Sequence, residues 1–243
     1  MVVSPIVPVV IVAIIIFLLG AIPKVGSLIQ NIFLLILFLF AIPNLEKDLG
    51  TFYAIMIVAV LVFTALRIGV KDIQEVSEGP GFLRGRGIKI PILAVVMGFL
   101  FFLLLKFLVS ANQGASIIGT PSLAIGSLNF MNASLIAALG IVEQRFFLAI
   151  YNVYKLFIKP ILDGIITPIL SFVIGVASVS IMFAVFHLQA YQLAIGSLIF
   201  AFIFMGLSIL AFEIPFIGEE PSSFGHYFHN ASVSLSRTLS IAV

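Results

Sequence analysis

An all-α fold of membrane-crossing helices is what this chain predicts, and three observations carry the prediction. The 243 residues are 62% hydrophobic and only 9% charged. The mean hydropathy is +1.31. The apolar residues also fall in long runs broken by short polar segments. A soluble domain carries about 25% charged residues, which this chain lacks. Backbone amides in lipid must find partners inside their own segment, and a helix provides them. At about 20 residues per span, the length predicts a polytopic transmembrane helical bundle of about eight helices, forming one integral membrane domain.

The apolar runs fall at 5–22, 28–43, 51–69, 90–109, 123–151, 161–187, 191–212 and 225–242. The first has neither a basic leader nor a clear small-residue cleavage site, so it is expected to stay as a span. Val9 to Ile16 is rich in β-branched residues, but runs of about 18 residues argue for spans over strands. Pro23-Lys24-Val25-Gly26 separates the first pair tightly, and Pro43-Asn44 with Glu46, Lys47 and Asp48 separates the second. Val70 to Lys89 is a charged loop with Gly79-Pro80-Gly81 at its middle, and Ser110 to Pro121 is a polar, uncharged linker. A solvated loop accounts for Val70 to Lys89, with contact to anionic lipid as the alternative. Lys106, near the end of the fourth run, can snorkel to the interface.

Basic residues set the orientation. Lys24, then Arg67, Lys71, Arg84, Arg86 and Lys89, then Arg145, Lys155 and Lys159, share one side if the spans alternate strictly. The positive-inside rule makes that side cytoplasmic and the N-terminus external. A net charge of +2 gives no ground for nucleic-acid binding. The absence of cysteine excludes disulfides, thiol catalysis and zinc–thiolate sites. Tryptophan is absent too, so an interfacial aromatic belt falls to Tyr and Phe. The Ile-rich composition points to a prokaryotic cell membrane. Gly196 and Ser197 permit close helix packing, but small residues are common in spans, and the oligomeric state stays open.

Ionisable residues inside apolar runs are costly and tend to face a protein interior or a cavity. Three groups stand out. Glu143-Gln144-Arg145-Phe146-Phe147 lies late in the fifth run. It reads either as a helix end with Arg145 at the headgroups or as a buried carboxylate able to act as a general base. Phe183 and His187 close the sixth run one helical turn apart, on a shared face. Gly218-Glu219-Glu220-Pro221 opens the last run, where His226 and Asn230 are again one turn apart and His229 is close by. Each group also reads as interfacial decoration, with Glu219 and Glu220 compensating a helix dipole.

The order and spacing of these groups resemble the CAAX prenyl protease and bacteriocin-processing (CPBP or Abi) family of intramembrane proteases. That family carries Glu-Glu-x-x-x-Arg, Phe-x-x-x-His and His-x-x-x-Asn on separate transmembrane helices. Here the counterparts are Glu143-Gln144, Phe183 to His187, and His226 to Asn230, over roughly residues 125–242. The resemblance implies a glutamate-dependent peptidase acting on a peptide or protein substrate at the bilayer, with no cofactor. Glu143 would be the base, His187 would help hold the water, and His226 and Asn230 would complete the site. Gln144, Phe183 and Arg145 would support it. The chain departs from the pattern in two places. Gln144 replaces the second glutamate and cannot share a proton as a carboxylate pair does. Leu148 stands where the arginine belongs, with Arg145 at a different offset. A catalytically impaired relative fits these departures.

Two other classes compete. A metal-dependent membrane hydrolase could use His187, His226 and His229, with Glu143, as ligands, although His-Glu-x-x-His is absent. A non-enzymatic scaffold or transporter would use Gly140, Gly164 with Pro168, and Gly175 as breaks in discontinuous helices. Alternation also sets a geometric condition. His187 ends one helix and His226 begins another of the same direction, so they meet only if the sixth helix continues past His187 and the eighth starts before His226.

Overall fold

A computed structural model describes residues 6–20, 22, 25–45, 47–70, 130–191, 195–213, 223–227, 230 and 231. Every regular element among them is helical. The helices are α1 (Ile6–Gly20), α2 (Gly26–Ala41), α3 (Lys47–Gly69), α4 (Phe130–Val153), α5 (Lys159–Asp163), α6 (Pro168–Tyr191) and α7 (Ile195–Glu213). A 3-10 turn at Ile42–Asn44 follows α2, and a π segment at Tyr154–Ile158 joins α4 to α5. Residues 223–227 form a further helical turn. The β-branched stretch in α1 is helical, as expected for a run too long to be a strand. The fourth run, the charged loop from Val70 to Lys89 and the linker from Ser110 to Pro121 lie outside the described residues, as do Lys24, Lys106, Glu219, Glu220 and His229.

Among the described residues two helices are long and apolar enough to cross a membrane, Leu49–Gly69 and Pro168–His187. Shorter apolar helices occupy Val7–Gly20, Gly26–Ala41 and Ala201–Glu213. Outward faces are apolar: Leu18, Phe40, Ile55, Val58, Ile169 and Ile199 are all exposed.

The central element is α4, which packs against α1, α2, α3 and α6. From Ala137 to Arg145 it is buried all round, as are Phe147, Leu148, Tyr151 and Asn152. A helix apolar on every side is held by neighbours on every side. Helix α6 pairs closely with α7. It starts later than the apolar run beginning at Ile161 suggests. Pro168 sits at its first position, where a missing N–H costs nothing, and the Thr167 hydroxyl accepts from the Leu170 amide at 3.3 Å.

Gly140 and Gly175 are not helix breaks: they lie inside continuous α4 and α6. A Cβ on Gly175 would stand 2.3 Å from the Tyr154 ring, so this glycine admits a neighbouring side chain. Gly164 does lie at a break, between the end of α5 at Asp163 and the start of α6 at Pro168.

One end of the bundle gathers charge. Lys155 meets Glu213 at 2.7 Å, and Lys159 meets Asp163 at 2.5 Å. Arg67 donates to the Ser27 hydroxyl at 2.6 Å at the same end of α2 and α3. The Asp163 carboxyl is held below the usual carboxylate range, first by the hydrogen bond from Lys159 and then by that from Ser171.

Candidate functional site

Glu143 lies in the fully enclosed part of α4 and is itself buried. Two imidazoles approach one of its oxygens. His226 Nε2 is 3.2 Å from Glu143 Oε2, and His187 Nε2 is 3.6 Å from the same atom. The three candidate ligand atoms lie within 4.8 Å of one another. The other oxygen, Oε1, accepts a hydrogen bond from the Tyr53 hydroxyl on α3. Residues from α3, α4, α6 and the turn at 223–227 thus meet at one carboxylate.

The geometric condition on His187 and His226 is met. Helix α6 continues past His187 to Tyr191, and the turn at 223–227 starts before His226. Asn230 joins them. A Cβ on Gly140 would lie 2.6 Å from Asn230 Nδ2 and 3.1 Å from His226 Cδ2. The glycine, one turn before Glu143, lets the imidazole and the amide press onto the α4 backbone.

The two imidazoles face the carboxylate with different second partners. His187 Nδ1 is 2.9 Å from the Phe183 carbonyl, which can only accept. Nδ1 therefore carries a proton, while Nε2 faces Glu143. His226 Nδ1 is buried with no hydrogen-bond partner among the described residues. A proton there would be a buried, unmatched donor, at a cost of about 1–3 kcal/mol. The lower-energy tautomer carries it on Nε2, facing Oε2. These tautomers are assigned from the partners of each ring. The His226 Nε2–H thus points to Oε2, and His187 Nε2 approaches the same oxygen.

Aromatic rings close the site. The Phe183 ring lies 4.1 Å from the His187 ring and 5.7 Å from that of His226, between centroids. Phe204 is 4.9 Å from His226, and Phe147 is 5.0 Å from Phe183. Phe183 thus serves as a packing surface for both imidazoles. His187 retains 15% side-chain exposure against 1% for Glu143, so it is the more exposed of the two.

Arg145 makes its own contacts. Of the two readings of this segment, the one with a helix end near Glu143 and Arg145 at the headgroups is overturned: α4 continues to Val153 and Arg145 is 3% exposed. Its guanidinium donates to Gln30 Oε1 at 2.5 Å and to Asn31 Oδ1. Gln30 donates in turn to the Ile16 carbonyl at 2.7 Å, and Asn31 to Thr64 Oγ1 at 2.8 Å. Gln144 is buried. Leu148, at the offset where an arginine was expected, is buried and apolar.

Tyr53, Gln30, Asn31 and Thr64 were not singled out from the sequence. Gln30-Asn31 interrupts an otherwise apolar run, which is a legible sign of a buried polar contact. Tyr53 carried no such sign. Comparisons with family models, curated proteins and solved structures find no match to this chain.

Proposed function

We propose that the chain is an intramembrane glutamate-dependent peptidase of the CAAX prenyl protease and bacteriocin-processing type, a bundle of about eight transmembrane helices in a prokaryotic cell membrane. The observation that carries this reading is the convergence of Glu143, His187 and His226 on one oxygen atom from three distant parts of the chain. The exposed apolar faces and the two membrane-length helices support a lipid setting. The end bearing Arg67, Lys155 and Lys159 is read as cytoplasmic.

The step follows from the lone pairs. A water in the His187–Glu143 gap gives one proton to Glu143 Oε2 and points its other hydrogen at His187 Nε2. Its oxygen attacks the peptide carbonyl carbon. The His226 Nε2–H and the Asn230 amide are the donors at hand for the oxyanion. Collapse breaks the C–N bond, and the proton on Glu143 passes to the leaving amine. Fixed donors in a dry site stabilise developing charge. Among the described residues one carboxylate, Glu143, touches both imidazoles, and the step does not call on a second acid at position 144.

The test is hydrolysis of a pool of internally quenched hydrophobic peptides by the protein in lipid nanodiscs. Glu143→Gln should lower the rate by about 10²–10⁴-fold, the range for loss of a general base. Cleavage that persists in the folded variant removes Glu143 as the base.

A second reading, a metal-dependent hydrolase, is favoured by the spacing of the same atoms. The separations of 3.2 and 3.6 Å bracket the edge of about 3.3 Å expected for tetrahedral zinc with bonds near 2.0–2.1 Å. The candidate ligands are then Glu143, His187 and His226. Activity that survives exhaustive chelation, in protein shown to be metal-free, excludes this reading.

A further inference from the structure

We propose that Tyr53 is the positioning residue of Glu143, holding Oε1 so that Oε2 alone is presented to the two imidazoles. The inference rests on the reading of Glu143 as the base.

A carboxylate has two equivalent oxygens, and the last torsion of a glutamate side chain is broad and two-fold. Nothing intrinsic to Glu143 decides which oxygen faces His187 and His226, or at what angle. The Tyr53 hydroxyl decides both. It donates to Oε1 from the face of α3, while Oε2 meets Nε2 of each ring. A phenol donating to a carboxylate is charge-assisted and stronger than a neutral pair.

The donor is itself fixed. Tyr53 is 2% exposed, and its ring lies 6.5 Å from that of Phe38 on α2. Two other buried tyrosines show what a structural hydroxyl does in this fold. Tyr154 donates to the Ser171 carbonyl and Tyr227 to the Val9 carbonyl, each tying one segment to another through backbone. The Tyr53 bond instead ends on a side chain that touches both imidazoles. Tyr53 also lies well before residue 125, so the likeness confined to the C-terminal part of the chain does not contain it.

Geometry at a reacting atom has large kinetic consequences; a misplacement of about 1 Å can cost 10²-fold. Tyr53→Phe keeps the ring and removes only the donor. Its peptide kcat should fall by roughly 10–100-fold with KM unchanged, because the substrate contacts remain. The melting temperature should fall as well, because a buried carboxylate loses a charge-assisted donor. A merely structural role predicts that same fall with unchanged kcat per folded molecule.

The decisive arm needs no substrate. The carboxylate stretch of Glu143 is isolated as the infrared difference between wild type and Glu143→Gln in nanodiscs. Tyr53→Phe should move that band. Incorporation of 3-fluorotyrosine at position 53, which preserves the fold and makes the hydroxyl a stronger donor, should move it in the opposite sense. A Glu143 band that is the same in all three backgrounds overturns the proposal, as does a shifted band with unchanged kcat. Absence of any peptide cleavage by the wild type would instead count against the peptidase reading, while the infrared shift would still report the hydrogen bond.

Discussion

Two faces of α4, separated by two residues of sequence, solve the same problem in opposite ways. Glu143 and Arg145 are both buried charges in an apolar helix. A charged side chain at such a depth costs about 2.5–3.5 kcal/mol on insertion scales. Arg145 recovers this with neutral acceptors: Gln30 and Asn31 take its donors, and their own amides are passed on to Ile16 and Thr64. Donor faces acceptor at each of these contacts, so the group has the form of a brace between α1, α2, α3 and α4. The Glu143 side is built otherwise. One oxygen is tied by Tyr53, and the other is approached by His226 at 3.2 Å and His187 at 3.6 Å. Three ionisable groups gathered on one carboxylate can exchange a proton, which neutral amides around an arginine cannot. The kind of partner, more than burial alone, distinguishes the two groups.

The largest expected effect breaks the brace. Arg145→Met removes two charge-assisted hydrogen bonds, each worth roughly 1.5–3 kcal/mol. A loss of about 3–4 kcal/mol in unfolding stability should follow, read by steric trapping or denaturant titration in micelles. Activity per folded molecule should change little. A stability within about 0.5 kcal/mol of wild type would show that the network on α2 carries no load.

Next is Gly140→Ala. The added methyl meets Asn230 Nδ2 at 2.6 Å and His226 Cδ2 at 3.1 Å, so both must shift. Overpacking of this kind costs about 1–3 kcal/mol. Because the displaced groups belong to the site, hydrolysis should fall more than the melting temperature suggests. Equal losses in the two readouts would place Gly140 with the scaffold only.

A smaller effect sharpens the Arg145 side. A cavity of about 10 Å³, large enough for one water, is lined by Thr64, Arg67, Arg145 and Asn152 among apolar neighbours. Asn152 Oδ1 has no hydrogen-bond partner among the described residues. Asn152→Leu removes this unmatched acceptor and should leave stability unchanged or raise it by up to about 1 kcal/mol. A clear loss in thermal unfolding would mean that a bridging water satisfies Asn152.

The smallest effect lies at the charged end, in the turn between α4 and α6. The Asp163 carboxyl sits below its ordinary range in the folded protein, through Lys159 and Ser171. Its contribution is therefore present above the ordinary carboxylate pKa of about 3.9 and is lost as pH falls through the lowered value. The melting temperature of wild type should drop slightly more than that of Asp163→Asn between pH 6 and pH 2.5. Parallel curves would remove the exposed pair from the account.

Much of this was legible in the residues. Helices follow from apolar runs too long for strands, and Glu143, His187, His226 and Asn230 stand out because each interrupts such a run. The end of α4 was not legible, since a buried arginine paired with amides looks the same in sequence as one at a headgroup. The partner of Arg145 lies on α2, more than a hundred residues away. Tyr53 escaped for a related reason: tyrosine is at home on apolar helices, and only the fold shows what its hydroxyl touches. Gly140 and Gly175 misled, though Gly164 did not, because a close approach and a helix break both call for the smallest side chain.

The measurement that bears most directly on the division between the two faces is hydrolysis per folded molecule in Glu143→Gln and Arg145→Met, side by side with their unfolding stabilities. The account predicts a Glu143→Gln protein of near wild-type stability whose rate is about 10²–10⁴-fold lower, and an Arg145→Met protein that is weakened yet turns over normally once folded. An active Glu143→Gln protein would contradict it.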